Sequence, residues 1–194
     1  MKKILFTLIA AAAAPVFAQT TGAPAFQQRD INQQQRIEQG LQSGQLNTRE
    51  AARLEHEEGQ VNQMESRALR DGKVTATEQA RINAAQNKAS RDIAREKHDA
   101  QVGNPNSASS QRMQADVQRN INQDKRIQQG MASGQLTNRE AGRLEAGQAH
   151  VDRIEARAGH DGHVGAAEQG HIQHAENVQS RRIYKQKHDA QTKN

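Results

Sequence analysis

The sequence predicts an all-α protein made of two tandem three-helix repeats. Residues 31–101 align with residues 121–191 without a gap, and 38 of these 71 positions are identical. Such self-similarity indicates a duplicated structural unit. Within each copy, apolar residues recur at spacings of three and four, which favours helices over strands, and no proline interrupts the predicted helices. The short turns between these helices predict antiparallel neighbours.

The chain begins with a segment typical of a secretory signal peptide. Lys2 and Lys3 precede an apolar run, and Val16-Phe17-Ala18 provides small residues before a cleavage point. The run is too short to span a bilayer comfortably, so cleavage is favoured over a membrane anchor. We therefore expect a mature chain that begins at Gln19, has 176 residues and is periplasmic or secreted, without an integral membrane segment.

Composition divides the chain into segments. The connection between the repeats carries the glycine, proline, asparagine and serine residues that are typical of a flexible linker. We predict a signal peptide at 1–18, a flexible leader at 19–26, a first repeat at 27–101, a linker at 102–110, a second repeat at 111–191 and a tail at 192–194.

Four similar turns join the helices within the repeats. Each has a small polar residue and a glycine, an aliphatic residue two positions later and a closing glutamate, at 43–50, 71–78, 133–140 and 161–168. Glycine accepts the positive φ of a helix C-terminus, and Thr-x-x-Glu is a capping box for the next helix. The predicted helices are 27–41, 48–70 and 76–100, with counterparts at 112–131, 138–158 and 166–190.

The predicted core is thin. The middle and third helices of each repeat carry one apolar stripe each. The stripes contain Leu54, Val61, Met64, Ala68, Ile82, Ala85 and Ile93 in the first repeat, and Leu144, Val151, Ile154, Ala158, Ile172, Ala175 and Ile183 in the second. Because so few apolar side chains oppose the entropy of ordering each repeat, we expect a marginally stable or elongated structure. Packing of the two repeats together, self-association or a bound partner would complete the core.

Composition also excludes several classes of function. The chain has no cysteine, so it has no disulfide, thiol nucleophile or thiolate metal ligand. Cleavage after residue 18 leaves 25 basic and 22 acidic side chains, a net charge of +3 with neutral histidines. Both signs alternate along the helices, which predicts a solvated surface and no nucleic-acid interface. Phe26 and Tyr184 are too few aromatic residues for base stacking.

The turns resemble the second half of an EF-hand calcium loop. With Gly72 at the family's central glycine, Asp71 takes the fifth ligand position and Glu78 the last, bidentate position. Asp161 and Glu168 take the same positions in the second repeat. The resemblance implies calcium-like turns at these four acids.

Other positions of the turns depart from the EF-hand pattern. The first and third ligand positions fall on Arg67 and Leu69, and in the second repeat on Arg157 and Gly159. A guanidinium at the first position repels a cation that wants six to eight oxygen ligands. The alternative is therefore a convergent capped turn that binds no ion.

Histidine is concentrated in the second repeat, which has six of the eight in the chain. Residues three apart share a helical face, so these imidazoles and a carboxylate predict a site for Cu²⁺, Zn²⁺ or Ni²⁺. The candidate ligands are His160, His163, His171, His174 and Glu168. The alternative is that the histidines are solvated basic side chains, since three of them replace an arginine or a lysine of the first repeat.

The sequence carries no recognisable catalytic motif. The His98-Asp99 and His188-Asp189 pairs are adjacent on a helix and so point in different directions. A nucleophile elbow, a phosphate loop and a His-Glu-x-x-His helix are all missing from the sequence. We therefore predict that the protein is not an enzyme and requires no cofactor.

The 27 glutamines and alternating charges predict polar helix faces that make many weak contacts. This composition is similar to that of cysteine-free periplasmic helical chaperones of the Spy and CpxP type. Their Leu-Thr-x-x-Gln signature has its nearest counterpart at 136–140, which ends in glutamate. The resemblance implies polypeptide binding under envelope stress.

The predicted function is that of an exported, non-enzymatic, helical binding or interaction protein of the cell envelope. Its expected partners are polypeptides or further copies of itself. The alternative is binding or buffering of a divalent transition metal by the second repeat. Calcium binding by the EF-hand-like turns is the less favoured alternative.

Overall fold

The computed structural model describes residues 23–189, and within that range it contains six α-helices and no strand. The helices are α1 (Ala23–Ser43), α2 (Thr48–Ala68), α3 (Ala76–Glu96), α4 (Ala108–Ala132), α5 (Asn138–Ala158) and α6 (Ala166–Lys187). The predicted all-α class is confirmed, and each repeat supplies three helices. The predicted signal peptide at 1–18 and the tail at 192–194 lie outside the described residues.

Two helices begin earlier than predicted. α1 begins within the predicted flexible leader, and Phe26 in its first turns is 1% exposed. α4 begins within the predicted linker, where the Ser107 hydroxyl caps it by accepting a hydrogen bond from the Ser110 N–H at 3.1 Å. Before α4, the Gly103 N–H donates to the Gly44 carbonyl at 2.8 Å. The connection between the repeats is therefore packed against the first repeat.

The four turns have the backbone conformation that the sequence predicts. Their glycines adopt positive φ angles: 76° at Gly44, 88° at Gly72, 76° at Gly134 and 90° at Gly162. Reciprocal capping boxes start α2, α3 and α5. α6 lacks a side-chain cap, because a glycine occupies its N-cap position.

α2 and α5 form the centre of the molecule and run antiparallel. A Cβ added at Gly142, near the start of α5, would lie 2.9 Å from the Leu69 Cβ at the end of α2. A Cβ added at Gly159, just after α5, would lie 3.2 Å from the Thr48 carbonyl oxygen at the start of α2. The absence of side chains at these glycines allows the close approach. α1 and α4 pack together beside this pair, while α3 and α6 lie outside it.

The two repeats are related by a pseudo-twofold axis between α2 and α5. Gly59 of α2 faces Ala149 of α5, and these two residues are each other's counterparts in the repeat alignment. Equivalent positions on antiparallel helices meet only where a twofold axis passes between them. Equivalent helices therefore pack alike on the two sides of the axis, as α2 with α3 and α5 with α6.

The apolar core is shared between the repeats. Its largest cluster joins Ile31, Leu41 and Leu54 from the first repeat to Met113 and Ile172 from the second. Of the three expected ways to complete a thin core, the structure shows packing of the two repeats together. No helix among the described residues is long and apolar enough to span a membrane.

Candidate functional site

The interior between the helices contains many acidic side chains. Apart from the acids that cap helices, ten acidic side chains are at most 5% exposed. They are Asp30, Glu55, Glu58, Glu65, Asp116, Asp124, Glu145, Asp152, Glu155 and Glu176. Within residues 25–189, no lysine, arginine or histidine is buried to the same degree. The expectation that the helix charges are all solvated is therefore wrong for these acids.

Buried amides are the main hydrogen-bond donors to these acids. Each donates a side-chain N–H to a carboxylate oxygen, at distances between 2.7 and 3.0 Å. The pairs are Gln27 with Glu145, Gln34 with Glu55, Asn62 with Asp152, Gln86 with Asp30 and Glu65, Asn120 with Glu155, Gln148 with Asp124, and Gln169 with Asp116. Many glutamines that were predicted to form the polar surface are thus buried partners of acids.

Each amide satisfies only one oxygen of its carboxyl group. The second oxygen of Asp30, Glu55, Glu65, Asp116, Asp152 and Glu155 has no donor among the described residues. In most of these pairs the amide oxygen also lacks a donor. Buried acceptors without donors are costly, so this interior requires protons, water or cations to satisfy it.

Three acids converge at one place across the α2–α5 contact. Glu55 comes from α2, and Asp152 and Glu155, one helical turn apart, come from α5. One oxygen from each lies within 4.8 Å of the others. All three side chains are 0% exposed. Two oxygens that bind one Ca²⁺ at about 2.3 to 2.6 Å are separated by at most about 5 Å, so the spacing fits a single ion.

Glu58 adds a fourth acid, one turn after Glu55 on α2. It is 1% exposed, and neither of its carboxylate oxygens has a hydrogen-bond donor among the described residues. The negative charges of Asp30, Glu55 and Asp152 all act on it. We refer to Glu55, Glu58, Asp152 and Glu155 together as the carboxylate cluster.

Burial is the largest cause of the raised pKa values in the carboxylate cluster. It raises the pKa of Glu55 to about 7 and the pKa values of Glu58, Asp152 and Glu155 well above the ordinary carboxyl range. The charges of Glu55 and Asp152 raise the pKa values of Glu58 and Glu155 further. Three carboxylates this close, with Glu58 one helical turn away, cannot all ionise unless a cation offsets their charge.

The pseudo-twofold axis places a weaker version of the cluster on its other side. The counterparts of Glu55 and Glu155 are Glu145 and Glu65, both buried. The counterpart of Asp152 is Asn62, whose side-chain amide donates to Asp152 at 2.8 Å. On this side two acids of the cluster are therefore replaced by amides, Asp152 by Asn62 and Glu58 by Gln148.

A second group of acids lies near the surface, where Glu50, Glu96 and Asp99 bring oxygens within 4.8 Å of one another. Glu50 already accepts a hydrogen bond from the Asn47 N–H at 2.9 Å as part of the α2 capping box. Asp99 is exposed and accepts from the Gln101 N–H at 2.8 Å. These acids have structural roles in their turns.

The structure separates the five predicted transition-metal ligands. Glu168, His171 and His174 line a groove between α5 and α6, whereas His160 lines a different groove beside α2. The His163 Nδ1 lies 3.0 Å from the Ser109 hydroxyl oxygen. Among the described residues, neither group of three converging ligand atoms includes a histidine. A transition-metal site at these residues stays a prediction.

The acids of the EF-hand-like turns are engaged within the turns. Asp71 and Asp161 each accept a hydrogen bond from the backbone N–H two residues later, at 2.9 and 2.8 Å. Glu78 accepts from the Thr75 N–H at 2.9 Å, and Glu168 accepts from the N-cap N–H of α6 at 2.7 Å. The capping of the turns thus accounts for these acids, and calcium binding there stays a prediction.

Comparisons with known proteins give no assignment, because no family model, no curated protein and no solved structure matches this chain. Function is therefore inferred from the geometry of residues 23–189.

Proposed function

We propose that this protein is an exported, non-enzymatic binding protein for a hard divalent cation, held by the carboxylate cluster. The observation that carries the proposal is the convergence of Glu55, Asp152 and Glu155 in a site with no buried basic side chain. Glu58 strengthens it, because a fully buried carboxylate without any donor destabilises the fold unless something binds it.

The donor atoms favour a particular class of cation. Three oxygens, one each from Glu55, Asp152 and Glu155, lie close enough together to bind one ion, and Glu58, one helical turn from Glu55, has two further oxygens without donors. A set of carboxylate oxygens with no nitrogen or sulfur suits Ca²⁺ or Mn²⁺ better than Cu²⁺ or Zn²⁺. A site of this composition is chemically distinct from the predicted histidine site.

Protons compete with the cation for the same oxygens. Because burial raises the pKa of Glu55 to about 7, the cluster holds protons at acidic pH and releases them as the pH rises. Metal binding to carboxylates requires the deprotonated form. The proposal therefore implies that cation affinity increases with pH across the neutral range.

A calorimetric titration tests the proposal. Chelator-stripped mature protein is titrated with Ca²⁺, Mn²⁺ and Mg²⁺ at pH 7.5, alongside D152N and the matched control E145Q on the other side of the axis. We expect one saturable equivalent of Ca²⁺ or Mn²⁺, a loss of at least about tenfold in affinity in D152N, and a smaller change in E145Q. An absence of saturable heat with all three ions would overturn the proposal.

The same titration with Cu²⁺, Zn²⁺ and Ni²⁺ tests the alternative transition-metal site. If the histidines of α6 bind such an ion, H171A/H174A abolishes the heat without changing the helical circular dichroism signal. D152N would leave that heat unchanged. The two kinds of metal site are thereby distinguished by separate variants.

Polypeptide binding under envelope stress is a separate proposal that rests on composition. The described surface has two large exposed apolar side chains, Val102 and Tyr184, so clients would have to be bound through polar and charged helix faces. Suppression of aggregation of a reduced or heated client protein would support this role. An unchanged aggregation rate at excess protein would count against it.

A further inference from the structure

A groove of about 750 Å³ lies between α5 and α6. Its floor is apolar and includes Val151, Ile154, Ala175 and Val178. Small-molecule sites typically measure about 300 to 1000 Å³ and combine an apolar lining with a few polar groups. The groove has the size and floor of such a site, and it lies outside the carboxylate cluster.

The rim of the groove is cationic. The charged and titratable side chains that line it are His150 and Arg157 from α5, with Glu168, His171, His174 and Arg182 from α6. The single acid, Glu168, already accepts a hydrogen bond at the start of α6. Arg157 and Arg182 are exposed and form no ion pair within residues 23–189. Two free guanidinium groups therefore border an apolar floor.

The first repeat has a different arrangement at the equivalent place. There, Lys88 of α3 lies 3.0 Å from Glu57 of α2 and 2.6 Å from Asp92. This ion pair links the two helices across the position that corresponds to the groove. The counterparts of Glu57, Lys88 and Asp92 are Gly147, Val178 and Arg182. The second repeat has thus lost two acids and a bridging lysine and has gained an arginine.

Gln179 occupies the space that a side chain at residue 147 would fill. A Cβ added at Gly147 would overlap the Gln179 amide, whose Nε2 donates to the Leu144 carbonyl at 2.8 Å. The counterpart of Gln179 in the first repeat is Ala89, which leaves room for Glu57. These two positions, 57/147 and 89/179, therefore change together between the repeats.

We propose that the α5–α6 groove binds a small amphiphilic carboxylate, a free medium-chain alkanoate. Its alkyl chain lies on the apolar floor, and its carboxylate is bound by Arg182, which stands where the first repeat has Asp92. Guanidinium groups are suited to carboxylates because they form paired, charge-assisted hydrogen bonds. The histidines of the rim add no negative charge that would oppose an anion.

The test is a calorimetric titration of the full mature protein with octanoate in the presence of a chelator. Octylammonium and octanol carry the same chain with a positive or no charge. We expect saturable one-to-one binding of octanoate, weaker binding of octanol and no binding of octylammonium. R182Q should weaken octanoate binding about tenfold or more, whereas R157Q, at the other end of the groove, should not.

A transplant of the first repeat's residues tests the origin of the groove. G147E/V178K/Q179A introduces the glutamate, lysine and alanine of the first repeat, and it should abolish octanoate binding while the circular dichroism spectrum stays helical. If that variant does not fold, the comparison of R182Q with R157Q decides. D152N should bind octanoate normally, which separates this proposal from the cation site.

Three results would overturn the proposal. The first is an absence of saturable octanoate binding to the wild type. The second is an equal loss of affinity in R157Q and in R182Q, which would indicate a diffuse charge effect. The third is binding to phosphatidylglycerol vesicles without binding to free octanoate, which would assign the groove to a membrane surface.

Discussion

The two repeats share one backbone plan, and two differences in charge between them lie at the proposed sites. At the pseudo-twofold axis, the first repeat has Asn62 where the second has Asp152. At the outer groove, the first repeat has the Glu57–Lys88 ion pair where the second has Gly147 and Val178. The comparison shows that a duplicated scaffold supplies equivalent positions whose chemistry a few side chains change.

The two sides of the axis differ in whether their buried oxygens have hydrogen-bond donors. The Asn62 side chain donates a hydrogen bond to Asp152 at 2.8 Å. With Gln148 in place of Glu58 as well, its side of the axis has two amides where the other side has two acids. Asp152 keeps one oxygen without a donor, as do Glu55 and Glu155. The side of the axis that contains Asp152 therefore depends more on a cation or on protons than the side that contains Asn62.

The largest expected effect is a fall in stability as the pH rises in the presence of a chelator. Burial raises the pKa values of Asp30 and Asp116 from 3.8 to about 7 and that of Glu176 to about 8. Between about pH 4 and these values the folded state holds more protons than the unfolded state, so the free energy of unfolding falls with rising pH. Full titration of one such group lowers the free energy of unfolding by roughly 4 kcal/mol.

Denaturant unfolding at pH 5 and pH 8 measures this fall. Adding Ca²⁺ at pH 8 should recover part of the loss in the wild type and less of it in D152N. A free energy of unfolding that is constant or rises between the two pH values would contradict the assignment of these acids to the interior.

The next largest effect is expected from exchanging the residues at the axis. N62D gives the first-repeat side a third acid, beside Glu65 and Glu145, and should add a second, weaker cation equivalent. The double variant N62D/D152N should move the site across the axis. Its affinity should be lower, because Gln148 stands where the original site has Glu58. The stoichiometry measured by calorimetry tests both results. A single site that is unchanged in all variants would show that residues 62 and 152 do not determine cation binding.

A smaller effect is expected from the glycine at the α2–α5 contact. A Cβ at Gly142 would lie 2.9 Å from the Leu69 Cβ and 3.1 Å from the Ser66 carbonyl oxygen, so G142A forces the helices apart. We expect a loss of about 1 to 3 kcal/mol in unfolding free energy. G170A is the control: no atom lies within 4 Å of its new Cβ, and it should stabilise α6 by about 0.5 to 1 kcal/mol. Equal effects of the two substitutions would argue against close packing at Gly142.

The smallest effect is expected at the helix starts. Thr75 caps α3 with its side chain, whereas its counterpart Gly165 leaves α6 without a side-chain cap. Gly165 has a φ of −76°, which threonine adopts without strain. G165T should stabilise the protein by a few tenths of a kcal/mol, and T75G should destabilise it similarly. Thermal melts measure both, and a destabilising G165T would contradict the equivalence of the two caps.

Much of the fold follows from local patterns in the sequence. The turn glycines, the capping boxes and the spacing of Leu54, Val61 and Ile82 depend on short-range rules that hold in any context. The start of α1 was missed because the burial of Phe26 depends on contacts with α2 and α3, which no local pattern reveals.

The carboxylate cluster could not be predicted in the same way. An acid on a helix is usually solvated, and Glu55 and Asp152 lie next to the core residues Leu54 and Val151 without a signal that separates them from surface acids. Their burial results from packing α2 against α5, a contact between residues about 90 positions apart. The one available signal was the set of asparagines and glutamines at core spacing, such as Asn62 and Asn120, which are suited to donate hydrogen bonds to buried acids.

A crystal of the mature protein soaked in Mn²⁺ at pH 7.5 tests the central claim most directly. The anomalous difference map should show one strong peak surrounded by the carboxylates of Glu55, Asp152 and Glu155, with oxygen distances near 2.2 Å for a hard cation. D152N crystals soaked in the same way should lack that peak. An empty cluster in the wild type, with manganese only at Glu50, Glu96 and Asp99 or nowhere, would contradict the account.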